Sequence, residues 1–158
     1  MQTSWYVTGV CIAALACRGS TSPPATDGEL NATIGTSGFV ATTVFAGYED
    51  REFTMSAVEE NGSDLRSITI TIRGVAQTGT FDLARSGNAG SYAEARLDST
   101  FSWMCSTSQG EGTVTISELT DDRIVGTFSF SAPALITSGA MGTKFISEGS
   151  FDVRPWRD

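Results

Sequence analysis

Few side chains in this 158-residue chain could do chemistry. There is no histidine, so Ser-His-Asp and Cys-His catalysis and histidine-bearing zinc sites are excluded. Three cysteines occur, Cys11, Cys17 and Cys105, and no two are spaced as a metal pair. Cys105 lies in Phe101-Ser-Trp103-Met-Cys105, in alternating phase with both aromatics. That is the placing of a small buried hydrophobe on a strand, and no histidine stands by to activate its thiol. Lys144 is the sole lysine, and the residues around it carry no pattern of a Ser–Lys dyad. Six of the 18 acids form adjacent pairs, Glu49-Asp50, Glu59-Glu60 and Asp121-Asp122. Two carboxylates cleave a glycoside when they converge on one bond. Adjacent residues on a strand point to opposite faces, and these pairs sit at predicted turns or strand ends. Oxygen ligands cluster from Glu59 to Asp64 as calcium would require, but not with the spacing of an EF-hand loop. Gly110-Glu-Gly112 is too slight for a phosphate cradle, and no nucleophile elbow is present. The sequence therefore offers no catalytic, cofactor-binding or metal-ligating residue, and no cofactor is expected.

The elements that carry these residues are strands. Ser and Thr make up about a quarter of the chain and glycine contributes 17 residues. Hydroxyl and β-branched residues suit a pleated sheet, and glycine with Asn and Asp suits the turns between strands. Predicted strands run over Leu30–Thr36, Phe39–Tyr48, Arg51–Val58, Arg66–Arg73, Thr78–Leu83, Ser91–Leu97, Phe101–Ser106, Gly112–Leu119, Arg123–Ser131 and Lys144–Val153. Ser37-Gly38 is the expected break between the first two, and Asn61-Gly62 signals a hairpin. In Arg66–Arg73, Ile68, Ile70 and Ile72 face one way and Ser67, Thr69 and Thr71 the other, as in a half-buried antiparallel strand. The connection Pro133–Gly142 has apolar residues of its own (Leu135, Ile136, Met141), which predicts a flap or a short helical turn. About ten strands without a helix predict a single all-β domain over 29–158. Its expected form is an antiparallel, meander-like β-sandwich or a flattened β-barrel. About 140 residues suffice for a core without staples.

The net charge is −8, and the basic residues are scattered. Such a surface repels a phosphate backbone, so no nucleic-acid partner is expected. It also keeps copies of a secreted domain apart, which predicts a monomer.

Upstream of the domain, Trp5 to Ala16 form an uncharged apolar run too short for a membrane span of about 20 residues, but matching a secretory leader. The run ends in Ala14-Leu15-Ala16-Cys17, which resembles the lipobox of bacterial lipoproteins. The resemblance implies a signal peptide over 1–16 and lipidation of Cys17 as the new N-terminus; Cys11 would leave with the leader. Residues 17–28, with two prolines and no apolar period, are expected to form a flexible tether.

Three segments, Gly112-Thr-Val-Thr-Ile116, Gly126-Thr-Phe-Ser-Phe130 and Glu148-Gly-Ser-Phe-Asp-Val153, resemble the ending of a bacterial envelope lipoprotein family of unknown function. Gly79-Thr-Phe-Asp-Leu83 and Tyr92 fit that layout too. The resemblance implies an all-β fold and an envelope address, without an activity. In physical terms, Gly126 and Gly149 among aromatics mark bulges, bends or rings crossing the backbone, with Phe128, Phe130 and Phe151 as a core cluster. The expectation is a non-catalytic, exported domain, lipid-anchored at the outer membrane on its periplasmic or surface face. It would have an interaction or structural role toward an unknown envelope protein or small ligand. The alternative is a barrel that carries a small apolar ligand, and a carboxylate-dependent hydrolase ranks third. A filled interior would argue against the carrier, and acids converging in a cleft would revive the hydrolase.

Overall fold

Most of the strands bury one face and leave the other to polar residues, so each needs a second layer against its apolar face. The computed structural model, which describes residues 28–156, supplies that layer as two antiparallel sheets. In chain order the strands are β1 (Gly28–Ile34), β2 (Ser37–Val40), β3 (Thr43–Glu49), β4 (Glu52–Asn61), β5 (Asp64–Arg73) and β6 (Gly79–Asp82). They continue with β7 (Ala89–Arg96), β8 (Ser99–Ser106), β9 (Glu111–Leu119), β10 (Ile124–Pro133) and β11 (Thr143–Val153). One 3-10 turn among the described residues, Ile136–Ser138, lies in the predicted flap. The six-stranded sheet has the order β2-β1-β11-β10-β9-β6 and the five-stranded sheet β3-β4-β5-β7-β8. The fold is a β-sandwich, and the sheets do not close into a barrel.

The second predicted strand, Phe39–Tyr48, is two strands in different sheets. Ala41 and Thr42 carry the chain across, and the buried phase shifts from Phe39 to Val44 and Ala46 as it crosses. This makes eleven strands among the described residues where about ten were expected. The turn before it is at Gly35-Thr36 rather than Ser37-Gly38, with Gly35 in the left-handed region at φ 62°. Meander pairing holds for β3-β4-β5 and for β9-β10-β11. It fails where the chain changes sheets: β1 pairs with β11, and β6 with β9. The predicted hairpin closes with Asn61 opposite Asp64.

The core is continuous between the sheets. Ile68, Ile70 and Ile72 of β5 are fully buried, and Phe53, paired with Ile72 in the same sheet, meets Phe151 of the other sheet with ring centroids 5.7 Å apart. Phe128 lies 6.2 Å from Phe130 and 6.3 Å from Phe151. The two glycines of the terminal signature make room for these rings. Gly126 is paired with Phe151, and Gly149 with Phe128. A Cβ on Gly149 would lie 2.6 Å from three atoms of the Phe128 ring, and one on Gly126 would lie 2.6 Å from Phe151 Cζ. The signature is a reciprocal pair of rings laid over glycines.

Open strand edges invite pairing with other chains, and three of the four here are covered. The flap runs back along β8: Leu135 N–H donates to the Ser102 carbonyl (2.9 Å), and Ser138 Oγ accepts from Ser102 N–H (3.0 Å). Trp156 exchanges backbone bonds with Ala46 and Tyr48 along β3. On β2, Arg66 donates to the Gly38 carbonyl (2.6 Å) and Glu59 accepts from Val40 N–H (2.9 Å). The remaining edge, β6, is only four residues long.

Candidate functional site

The side chains singled out from sequence do not converge. Cys105 is fully buried on β8, and desolvation, followed by the charges of Asp82 and Glu111, pushes its thiol up to about 11. It is a core residue. Glu49 ends β3 while Asp50 sits in the turn; Asp121 and Asp122 are exposed between β9 and β10. Glu59 and Glu60 are neighbours on β4 and point to opposite faces, Glu59 to an ion pair with Arg66 and Glu60 to solvent. Among the described residues no group of three or more Cys, Asp or Glu could hold a metal ion, the Glu59–Asp64 stretch included. Cys11 and Cys17 lie outside the described residues.

Lys144 is placed where the sequence showed no reason to look. Its Nζ lies 2.8 Å from Glu94 Oε1 and 4.6 Å from the centre of the Trp103 ring, tying β11 of one sheet to β7 of the other. Tyr92, which is buried, donates its hydroxyl to the same oxygen at 3.0 Å. Burial and then the Glu94 charge push the Tyr92 hydroxyl up. Burial also works to raise the Glu94 carboxyl, but hydrogen bonds from Lys144 and Tyr92 outweigh it, so the carboxyl stays below its ordinary value. Each charge in this cluster is spent on another, which makes it an inter-sheet clasp.

The concave surface lies outside the sandwich. A groove of about 310 Å³ crosses β9, β10 and β11 on the outward face of the six-stranded sheet. Strand register builds its walls. Thr80, Thr115, Thr127, Ser150 and Asn31 stand opposite one another in one row across five strands. Thr113 and Ser129 begin the next row. At the third strand that row meets a bulge in β11, where both the β10 and the β1 pairings shift register. Glu148 occupies the bulge with φ at 52°, a left-handed conformation rare for a residue with a Cβ. Its carboxylate accepts a hydrogen bond from Thr33 Oγ1 (3.1 Å) and borders the groove. Phe145, on the same face and paired with Ser131, is 63% exposed. Sequence reasoning missed this site because period-2 alternation marks a hydroxyl as outward without saying which outward residues share a row. The non-glycine bulge in Ile146-Ser-Glu-Gly-Ser was the available signal. A second concavity of about 360 Å³, lined by Gly28, Glu29, Asp152 and Arg154, also opens to solvent.

Fold and site together define a β-sandwich whose interior is packed and whose concave, polar surface is a sheet face. The chain belongs to the family described as Domain of unknown function (DUF6252), which matches residues 26–155. No curated protein and no solved structure matches it.

Proposed function

We propose that this protein is a non-catalytic binding or structural domain of the bacterial cell envelope. In this reading residues 1–16 export it, a lipid on Cys17 anchors it at the outer membrane, and the β-sandwich works as a monomer on an envelope partner. One observation carries the choice of a surface role: apolar side chains fill the space between the sheets, while the two concavities described above both open to solvent. That arrangement favours binding on a sheet face over carriage of an apolar ligand inside. The scattered acids favour it over carboxylate hydrolysis. The lipid anchor is supported by the apolar run ending in Ala14-Leu15-Ala16-Cys17.

Metabolic labelling with a fatty-acid precursor tests the anchor. The full chain should take up label and sediment with membranes, and Cys17→Ser should lose the label and appear in the soluble fraction. Equal incorporation by both would overturn the assignment.

A further inference from the structure

The outward groove brings three features together. It is concave, it is rimmed by hydroxyls in register, and the Glu148 carboxylate borders it, with an exposed aromatic, Phe145, farther along the same strand and outside the groove's lining. Neighbouring rows of strand residues are about 4.8 Å apart across the sheet and about 7 Å apart along it. Thr115, Thr127 and Ser150 therefore offer donors and acceptors at short, regular intervals on a rigid support. Phe145 adds an apolar plate to an otherwise polar face, and Glu148 adds an anionic acceptor held in place by the bulge and by Thr33. A ligand matching this surface has many hydroxyls, has C–H faces that can lie on an aromatic ring, and carries no negative charge. The net charge of −8 and the Glu148 carboxylate both disfavour an anionic polymer. An extended peptide would look for open strand edges, and three of the four are covered.

From these features we infer that the outward face of β9, β10 and β11 binds a neutral polysaccharide. This inference rests on the surface-binding role proposed above and names its ligand class. Phe145 stacks on a sugar ring, Glu148 accepts hydrogen bonds from sugar hydroxyls, and Thr127, Ser129 and Ser150 line the path of the chain.

Native gel electrophoresis of the full chain through gels containing dextran, soluble starch, laminarin or galactomannan tests this, with polygalacturonate as an anionic control. At least one neutral polymer should retard the protein, and polygalacturonate should not. Phe145→Ala and Glu148→Gln should each weaken the retardation about tenfold. Both residues are exposed, so the thermal midpoint should hold, and Thr127→Ala supplies a third variant with a smaller loss. Retardation equal in wild type and all three variants overturns the site. Mobility unchanged by every neutral polymer overturns the ligand class and leaves the surface-binding role standing. Reducing ends released during incubation with a retarding polymer would instead overturn the non-catalytic reading, while the Phe145→Ala result still decides the site.

Discussion

Replacing Gly149 by alanine tests the reciprocal glycine–aromatic pairs directly. The added Cβ would sit 2.6 Å from Cδ2, Cε2 and Cζ of Phe128. Carbon atoms rest about 3.5–4.0 Å apart, so the ring has to retreat by about 1 Å. Its retreat is opposed by Phe130 and Phe151, both buried and both in ring contact with Phe128. Overpacking of this kind costs about 1–3 kcal/mol. Gly149 is not in the left-handed region, so alanine is tolerated by the backbone and recovers about 0.4–1 kcal/mol from the unfolded chain. The net expectation is a loss of about 1–2 kcal/mol, or about 4–10 °C in Tm for a domain of this size. Urea titration followed by the fluorescence of buried Trp103 measures it. Phe128→Leu removes the opposing ring, so in that background Gly149→Ala should be close to neutral, a coupling of about 1–2 kcal/mol. The mirror pair should behave differently. A Cβ on Gly126 meets Phe151 but also lies 2.3 Å from the Thr115 carbonyl oxygen, which is backbone and cannot move aside. Phe151→Leu should therefore not rescue Gly126→Ala. If Gly149→Ala costs under about 0.5 kcal/mol, or costs as much with leucine at 128 as with phenylalanine, the glycines are not what makes room for these rings.

Further outcomes follow from the same geometry. Glu94 is held below its ordinary value despite burial, by Lys144 and Tyr92, and Asp152 is held below its own by Arg123. Stability from such groups is present above their unfolded values, near pH 4, and is lost as pH falls through the folded ones. Tm should therefore drop on acidification below about pH 4, and Glu94→Gln should flatten part of that drop; an unchanged profile in the variant would exclude Glu94 as a contributor. Asp50 and Arg51 both hold positive φ in the β3–β4 turn, at 49° and 64°. Changing them to Asn-Gly should raise stability by about 1 kcal/mol in urea titration. Cys105, in a chain with Cys11 and Cys17 changed to serine, should resist a thiol reagent at pH 8 until denaturant is added; fast labelling of the native protein would show that burial does not protect it. Ser138→Ala removes the hydroxyl that bonds both the amide and the carbonyl of Ser102, so hydrogen exchange at Ser102 should quicken while the amides of β5 stay protected.

Local pattern carried much of the architecture. Ile68, Ile70 and Ile72 announce a buried strand face because alternation is a property of the strand itself. Gly126 and Gly149 stood out because a glycine among aromatics has few uses in a strand. The break inside Phe39–Tyr48 was harder to see, since Ala41-Thr42 contains neither Gly nor Pro and the only trace is the change of buried phase. Asp50-Arg51 was hidden for a related reason: two ordinary residues adopt the turn that Asn-Gly would have advertised.

The sequence by itself determined that the chain is all-β, which face of its regularly alternating strands is buried, that histidine chemistry is absent and that the net charge is acidic. These follow from composition and from a period of two, which act over a few neighbouring residues. Tertiary structure decided the rest. It chose two sheets over a barrel, paired the first strand with the last and brought Lys144 to Glu94 across 50 positions of sequence. It also aligned the hydroxyls of β9, β10 and β11 beside Glu148 and Phe145. Register between distant strands depends on how whole faces pack together, so no short stretch of sequence encodes it. The concave surface of this protein is a product of that register.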